Sequence, residues 1–231
     1  MIEKNITAQE LYTLLLADGI LNSTGMIKFK LGDTETIIKT RDTIGNSLQS
    51  WLGQWLKNND IFYFEPDNTQ EFPDFYLNLE NLNESMIELK TFNNNSTPSF
   101  DIANFESYCE SLKSKPYRLF ADYLIIGYEL DPETGIITIK NIWLKKIWEI
   151  TGKSSRFALR TQVKRNIIYN IRPTIWYSKN NTGFKNKEEF IRAIYLTLKE
   201  YKNKKFATEW ITEMKKSYNN YYDKEIEVNI N

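Results

Sequence analysis

The sequence predicts a mixed α/β (α+β) fold. Three observations carry it. A helix signature opens the chain, alternating apolar runs separated by turn residues fill the middle, and helical spacing returns at the end. The chain has 231 residues, 41% of them apolar, with 6 Trp, 14 Tyr and 13 Phe. That supply is ample for one core, and single domains commonly run to about 250 residues.

Thr7-Ala8-Gln9-Glu10 is a capping box, so a helix is expected over Ala8–Ala17, stopping at Gly19. Met26–Leu31 and Thr34–Thr40 alternate around Gly32-Asp33 and predict a β-hairpin. Asp42 or Thr43 would cap a helix whose apolar positions Ile44, Leu48, Trp51, Leu52 and Trp55 follow helical spacing. A second hairpin is expected from Pro73–Leu79 and Ser85–Phe92, joined by an Asn-rich turn around Glu80–Glu84. Asp101–Leu112 reads as a helix with Asp101 as its N-cap. Leu119–Glu129 and Gly135–Lys140 flank Asp131-Pro132-Glu133-Thr134-Gly135, where Pro presets φ and Gly permits positive φ. Ile142–Ile150 is expected to be a short helix ended by Gly152, and Ile167–Ile171 a strand. Helices at about Lys187–Lys202 and Phe206–Tyr218 complete the order. Repeats, linkers and clear domain boundaries are lacking, so residues 1–231 read as a single domain. Its catalytic part would be about 1–140, its basic part about 141–205 and its C-terminal helix 206–231.

Composition narrows the chemistry. The chain has no histidine and one cysteine, Cys109. Without histidine there is no Ser-His or Cys-His nucleophile pair, no imidazole base and no HNH-type site. One Cys allows no intrachain disulfide and leaves no soft ligand set for zinc or iron–sulfur. Any metal must be a hard, oxygen-bound ion such as Mg²⁺. No apolar run approaches the roughly 20 residues of a membrane span. The N-terminal Met1-Ile2-Glu3-Lys4-Asn5 lacks the marks of a signal peptide, so a reducing cytoplasm is the expected compartment.

Net charge is zero, from 30 Lys+Arg and 30 Asp+Glu, but it is not evenly spread. Residues 1–139 hold 10 basic and 21 acidic side chains, and residues 140–205 hold 17 and 4. A basic block this dense, interleaved with Trp143, Trp148, Tyr169, Trp176 and Tyr177, suggests a polyanion surface. The plainer reading is a set of solvated helix faces.

The sharpest local signal is Phe72-Pro73-Asp74-Phe75, followed 14 residues later by Ile87-Glu88-Leu89-Lys90-Thr91. On a strand, Glu88 and Lys90 share a face. If the hairpin turns symmetrically about Asn81, residue 74 lies opposite residue 88. Two carboxylates and an ammonium then converge, and two such acids can hold a hard divalent cation together with water and a phosphate oxygen. The cation would acidify a bound water and offset charge building on phosphorus. Lys90 could orient or deprotonate that water. The plainer alternative is an exposed ion pair worth well under about 1 kcal/mol.

Pro73-Asp74…Glu88-Leu89-Lys90 resembles the PD-(D/E)XK nuclease motif, and length and element order resemble a type II restriction endonuclease. The strings Thr43–Leu52, Phe100–Tyr108, Ile142–Trp148 and Arg165–Pro173 are similar to the NgoBV/NlaIV group. The resemblance implies a restriction-endonuclease-like core, with a mixed β-sheet flanked by helices. It also implies a Mg²⁺-dependent homodimer cutting both strands of duplex DNA at a short palindrome, with GGNNCC the form associated with that group. Carried over, Asp74 and Glu88 would be metal ligands and Lys90 the catalytic lysine. Many such enzymes add a Glu from a preceding helix. Here Ile44–Leu56 offers only Gln49 and Gln54, so Gln49 is the candidate for that place. A DNA methyltransferase would be a genetic neighbour rather than a physical partner.

Within the basic block, Lys153, Arg156, Arg160, Gln162, Lys164, Arg165, Asn166 and Arg172 mix long cations with polar groups, as DNA contacts require. The cations from Lys185 to Lys205 are read as solvating helix faces. Trp51, Trp55, Trp143, Trp148 and Trp210 are expected in core or dimer packing, and Cys109 as a small buried hydrophobe. Two other functions share these features: a repair or junction-resolving nuclease on the same core, and a DNA-binding protein without catalysis.

Overall fold

In the computed structural model, residues 3–68 and 71–230 are described. In chain order the first elements are α1 (Ala8–Ala17), β1 (Thr24–Gly25), β2 (Ile27–Leu31), β3 (Thr34–Ile38), α2 (Ile44–Asn58), β4 (Phe75–Tyr76), α3 (Leu82–Ser85) and β5 (Met86–Asn93). There follow β6 (Ala103–Asn104), α4 (Phe105–Leu112), β7 (Asp122–Leu130), β8 (Ile137–Lys146) and α5 (Ile147–Ile150). The last are β9 (Thr161–Lys164), β10 (Ile167–Ile171), α6 (Lys187–Tyr201) and α7 (Lys204–Tyr222). Two compact units result, Met1–Pro98 with Ala121–Lys145, and Ser99–Phe120 with Lys146–Asn231.

The first unit holds a five-stranded sheet in the order β1-β8-β7-β5-β4. It is mixed: β5 runs parallel to β7, while β4 pairs antiparallel with β5 and β1 with β8. β7 begins Asp-Tyr-Leu-Ile-Ile, all buried, which is the near-continuous apolar run of a strand covered on both faces. The Thr7 capping box forms as expected, Thr7 Oγ1 accepting from Glu10 N–H while Glu10 accepts from Thr7 N–H. Leu11 and Leu15 of α1, with Ile44, Leu52 and Leu56 of α2, fill a core with Leu77, Ile87, Leu89, Leu124 and Ile126. The β2–β3 hairpin has the expected register, Leu31 opposite Thr34, with Gly32 at φ 58°.

Four expectations are corrected. The stretch Ile142–Lys146 is not helical but completes β8, and only Ile147–Ile150 coils. Pairing along β7 overrides the short helical spacing, and the ring of Trp143 stacks on Phe92 with centroids 5.7 Å apart. Gly127 makes room for that ring, since a Cβ there would lie 3.1 Å from it. The predicted strand Pro73–Leu79 contracts to Phe75–Tyr76, and its turn contains one helical turn, α3. Ser85 Oγ donates to the carbonyls of Asn78 and Asn81, which closes that turn and buries the hydroxyl. The helix from Asp101 starts only at Phe105, because Ala103–Asn104 pair with β10. Asn104, not Asp101, caps it by accepting from Ser107 N–H, and Asp101 is instead ion-paired with Arg172. Ahead of α2, Thr43 makes no side-chain capping bond, and the side chain of Asp42 lies outside the described residues.

The second unit holds a three-stranded antiparallel sheet, β6-β10-β9, with α4, α6 and α7. Cys109 is buried there, its carbonyl accepting from Trp210 Nε1 at 2.8 Å. Trp210 is therefore core. No helix of the described residues is long and apolar enough to cross a membrane.

Candidate active site

β4 pairs with β5 through Phe75 opposite Ile87 and Tyr76 opposite Met86. One step further along the same register sets residue 74 against residue 88, the arrangement expected from symmetry about Asn81. Two side-chain-to-backbone bonds lock it. The Asp74 N–H donates to Glu88 Oε2 at 3.2 Å, and the Leu89 N–H donates to Asp74 Oδ2 at 2.7 Å. Each carboxylate is thus held by the opposite segment. Lys90, two residues along β5 on the same face as Glu88, places Nζ 2.7 Å from Glu88 Oε1.

Their burial sets the electrostatics. β5 is an interior strand, and Glu88 is only 7% exposed. Loss of water pushes its carboxyl up to about 7; the Asp74 charge adds to the rise and Lys90 opposes it. Burial raises Asp74 as well, against the pull of the Leu89 N–H and Lys90. Two desolvated carboxylates share one ammonium, which leaves negative charge uncompensated when both ionise. Oxygen donors with such a surplus fit a hard divalent cation. Among the described residues no group of three or more His, Cys, Asp or Glu is arranged to hold a metal. Asp74 and Glu88 would therefore leave positions to water and phosphate oxygens, as Mg²⁺ sites commonly do.

A further carboxylate stands near this pair and was not anticipated from the sequence. The Glu65 carboxyl is raised by burial first, Gln49 of α2 lowers it by donating a hydrogen bond, and the charge of Asp74 raises it again. Glu65 Oε2 lies over α2 at Gly53, 3.6 Å from where a Cβ on that glycine would sit. The segment reaches there because Phe64 and Tyr76 exchange both backbone hydrogen bonds at 2.9 Å, making Phe64 a neighbour of β4. Phe62-Tyr63-Phe64-Glu65 is a short aromatic run ending in an acid just before the Asp74 motif. That was the available signal. Gln49, the candidate for the helix-borne position, is thus tied to a carboxylate rather than supplying one.

The eight candidate DNA-contacting residues all fall in the second unit, on or near the β9–β10 hairpin. Arg165 and Asn166 form its two-residue turn, Lys164 pairs with Ile167, and Arg156 Nη2 donates to Asn166 Oδ1 at 3.0 Å. Gln162 Oε1 accepts from Asn170 Nδ2 at 3.3 Å. The Arg172 N–H donates to the Arg160 carbonyl at 3.0 Å, and the Arg172 side chain is ion-paired with Asp101. Lys153 is exposed ahead of the hairpin.

Comparison with known proteins gives the class as type II restriction endonuclease. A sequence model of the NgoBV restriction endonuclease family matches residues 5–230, and the chain belongs to that family. It is 40% identical over 230 residues to the type II restriction enzyme NlaIV of Neisseria lactamica, covering 96% of this chain and 93% of that enzyme. It is also 40% identical over 164 residues to the type II restriction enzyme NgoBV of Neisseria gonorrhoeae, covering 69% of this chain and 91% of the other. The solved structure of NlaIV restriction endonuclease superposes with a TM-score of 0.91 at 38% identity, over 98% of this chain and 94% of that one. The protein is a type II restriction endonuclease and acts on DNA. Enzymes of this class typically use divalent metal ions.

Proposed function

We propose that this endonuclease hydrolyses phosphodiester bonds in both strands of duplex DNA at a short palindrome of the form GGNNCC, working as a homodimer in the cytoplasm with Mg²⁺. The observation that carries the reading is the interlock of Asp74, Glu88 and Lys90 by three contacts between 2.7 and 3.2 Å. Asp74 and Glu88 would hold the cation. When bound, it would neutralise charge on the phosphate and make a water more acidic. Lys90 orients the attacking water and donates to the charge that develops on the phosphate oxygens. Glu65, held by Gln49, adds negative charge beside Asp74. Lys153, Arg156, Arg160, Gln162, Lys164, Arg165, Asn166 and Arg172 contact the duplex. One site per subunit meets a two-fold substrate most simply with a two-fold dimer.

The test is incubation of long duplex DNA with the protein and Mg²⁺, against the same mixture with EDTA. Discrete fragments with Mg²⁺ and none with EDTA are expected, with ends mapping to GGNNCC. A smear would indicate a nuclease without site specificity. Binding without cleavage of any unmethylated DNA would favour a non-catalytic DNA-binding protein and overturn the proposal.

A further inference from the structure

The region from Ile150 through Lys187 contains no Asp or Glu and nine Lys or Arg. At its centre stands the β9–β10 hairpin, which has two unlike faces. Ile168 and Ile171 are buried on one. The other carries Gln162, Lys164, Ile167 and Tyr169, with Ile167 50% and Tyr169 40% exposed. Lys164 Nζ lies 5.6 Å above the Tyr169 ring centroid.

Two backbone features shape this face. Val163 pairs with Ile168 but Thr161 with Ile171, so two residues of β10 face one of β9. This bulge turns Asn170 beside Gln162, and Asn170 Nδ2 donates to Gln162 Oε1. The bond leaves the Gln162 amide nitrogen as a donor beside Asn170 Oδ1 as an acceptor. At the tip, Arg165 and Asn166 have φ of 51° and 64°. That turn favours Asn-Gly or Gly-Gly, so an arginine there gives up backbone preference to project a cation. Arg156 braces the tip through Asn166.

We infer that this hairpin is a groove-reading ribbon: its exposed face enters the major groove of duplex DNA, the Gln162–Asn170 amide pair reading a base-pair edge. The inference rests on the proposed cleavage of duplex DNA and deepens it. A two-stranded ribbon fits a major groove, where every base pair presents a donor–acceptor pattern. Lys164 and Arg165 face phosphates or guanine, and Ile167 and Tyr169 supply apolar contact.

The test compares wild type with Gln162→Ala, Asn170→Ala and Lys164→Ala, each checked for an unchanged far-ultraviolet circular dichroism spectrum and melting profile. Gln162→Ala and Asn170→Ala should slow cleavage of the preferred site by about 5- to 100-fold and narrow its advantage over sites altered at one base pair. Their affinity for random-sequence duplex should stay within about two-fold. Lys164→Ala should lower the slope of log affinity against log salt by about 1. A photo-crosslinking residue in place of Ile167 should attach to duplex DNA. If wild type cuts discretely while all three variants keep its rates, site preference and salt slope, the ribbon is wrong and the cleavage reading stands. If wild type cuts nothing, the cleavage reading fails, and an unchanged salt slope with no crosslink would overturn the ribbon as well.

Discussion

Replacing Glu88 by Gln should make the metal-free protein less sensitive to pH, because the native carboxyl is held against its own ionisation. In the unfolded chain Glu88 ionises near its ordinary value of 4.5, whereas burial in β5 raises it to about 7. Between those values the folded state binds more protons than the unfolded state, so stability falls as pH rises. Each tenfold change in proton affinity corresponds to about 1.4 kcal/mol, so the group makes the fold about 2–3 kcal/mol less stable at pH 8 than at pH 5. Glu88→Gln keeps an oxygen to accept the Asp74 N–H and removes the ionisation. Urea unfolding in EDTA at the two pH values measures the difference. With a slope of about 1–3 kcal/mol per molar, wild type should lose roughly 1–2 M more in midpoint than the variant on going from pH 5 to pH 8. Asp74 contributes with the same sign in both proteins but less in the variant, where no Glu88 charge faces it, so it widens the difference rather than opposing it. Matching pH dependences within about 0.5 kcal/mol would refute the desolvated carboxylate. The variant should also fail to cleave DNA while still binding it.

Lys90→Ala should abolish cleavage and destabilise the protein at pH 8 by about 3 kcal/mol, because it leaves Glu88 buried without its partner. The loss should shrink at pH 5, where Glu88 takes up a proton; equal losses at both pH values would contradict the pairing. Glu65→Gln should raise the Mg²⁺ concentration needed for half-maximal cleavage by about 10-fold with DNA affinity kept, and an unaltered Mg²⁺ titration would remove Glu65 from the site. Gly127→Ala should cost about 1–3 kcal/mol in chemical denaturation, since the added methyl would meet Trp143 and the Asn94 side chain at 3.1 Å. Shortening the ring in Trp143→Leu should recover part of that loss in the double variant.

The elements legible in the sequence are those whose determinants are local. The Thr7–Glu10 box sets α1 within four residues, and Gly32-Asp33 sets the β2–β3 register by turn geometry alone. The facing of Asp74 and Glu88 was also legible, because the register needs only a centre at Asn81, and α3 fills the turn without moving it. Ile142–Lys146 was misread because a short apolar run satisfies either period, and the partner that decides, β7, begins twenty residues earlier in the chain. Asp101 looked like a cap because Asp caps helices well. Its competitor Asn104 prevailed once Ala103–Asn104 had paired with β10, whose sequence lies over sixty residues away. Glu65 was hidden for the same reason, since only the exchange of hydrogen bonds between Phe64 and Tyr76 brings it near Asp74.

The proposed role of Glu88 would need an interior strand. On an exposed edge, a Glu–Lys pair would stay solvated, and its attraction would be worth less than about 1 kcal/mol. It would hold neither its own geometry nor a cation firmly. β5 lies between β4 and β7 in the sheet: β7 pairs directly with Glu88 and Lys90, while β4 pairs with Met86 and Ile87 just before them and Asp74 bonds across to Glu88 and Leu89. The same burial that fixes them disfavours the ionised carboxyl, and the Asp74 N–H and Lys90 offset that only in part. A divalent cation would remove the remainder, so on the proposed reading the site's instability without metal and its affinity for metal would have one cause. It follows that substitutions that relieve the desolvation of Glu88 should stabilise the apoprotein at neutral pH and weaken Mg²⁺ binding together. A variant that did one without the other would break that link.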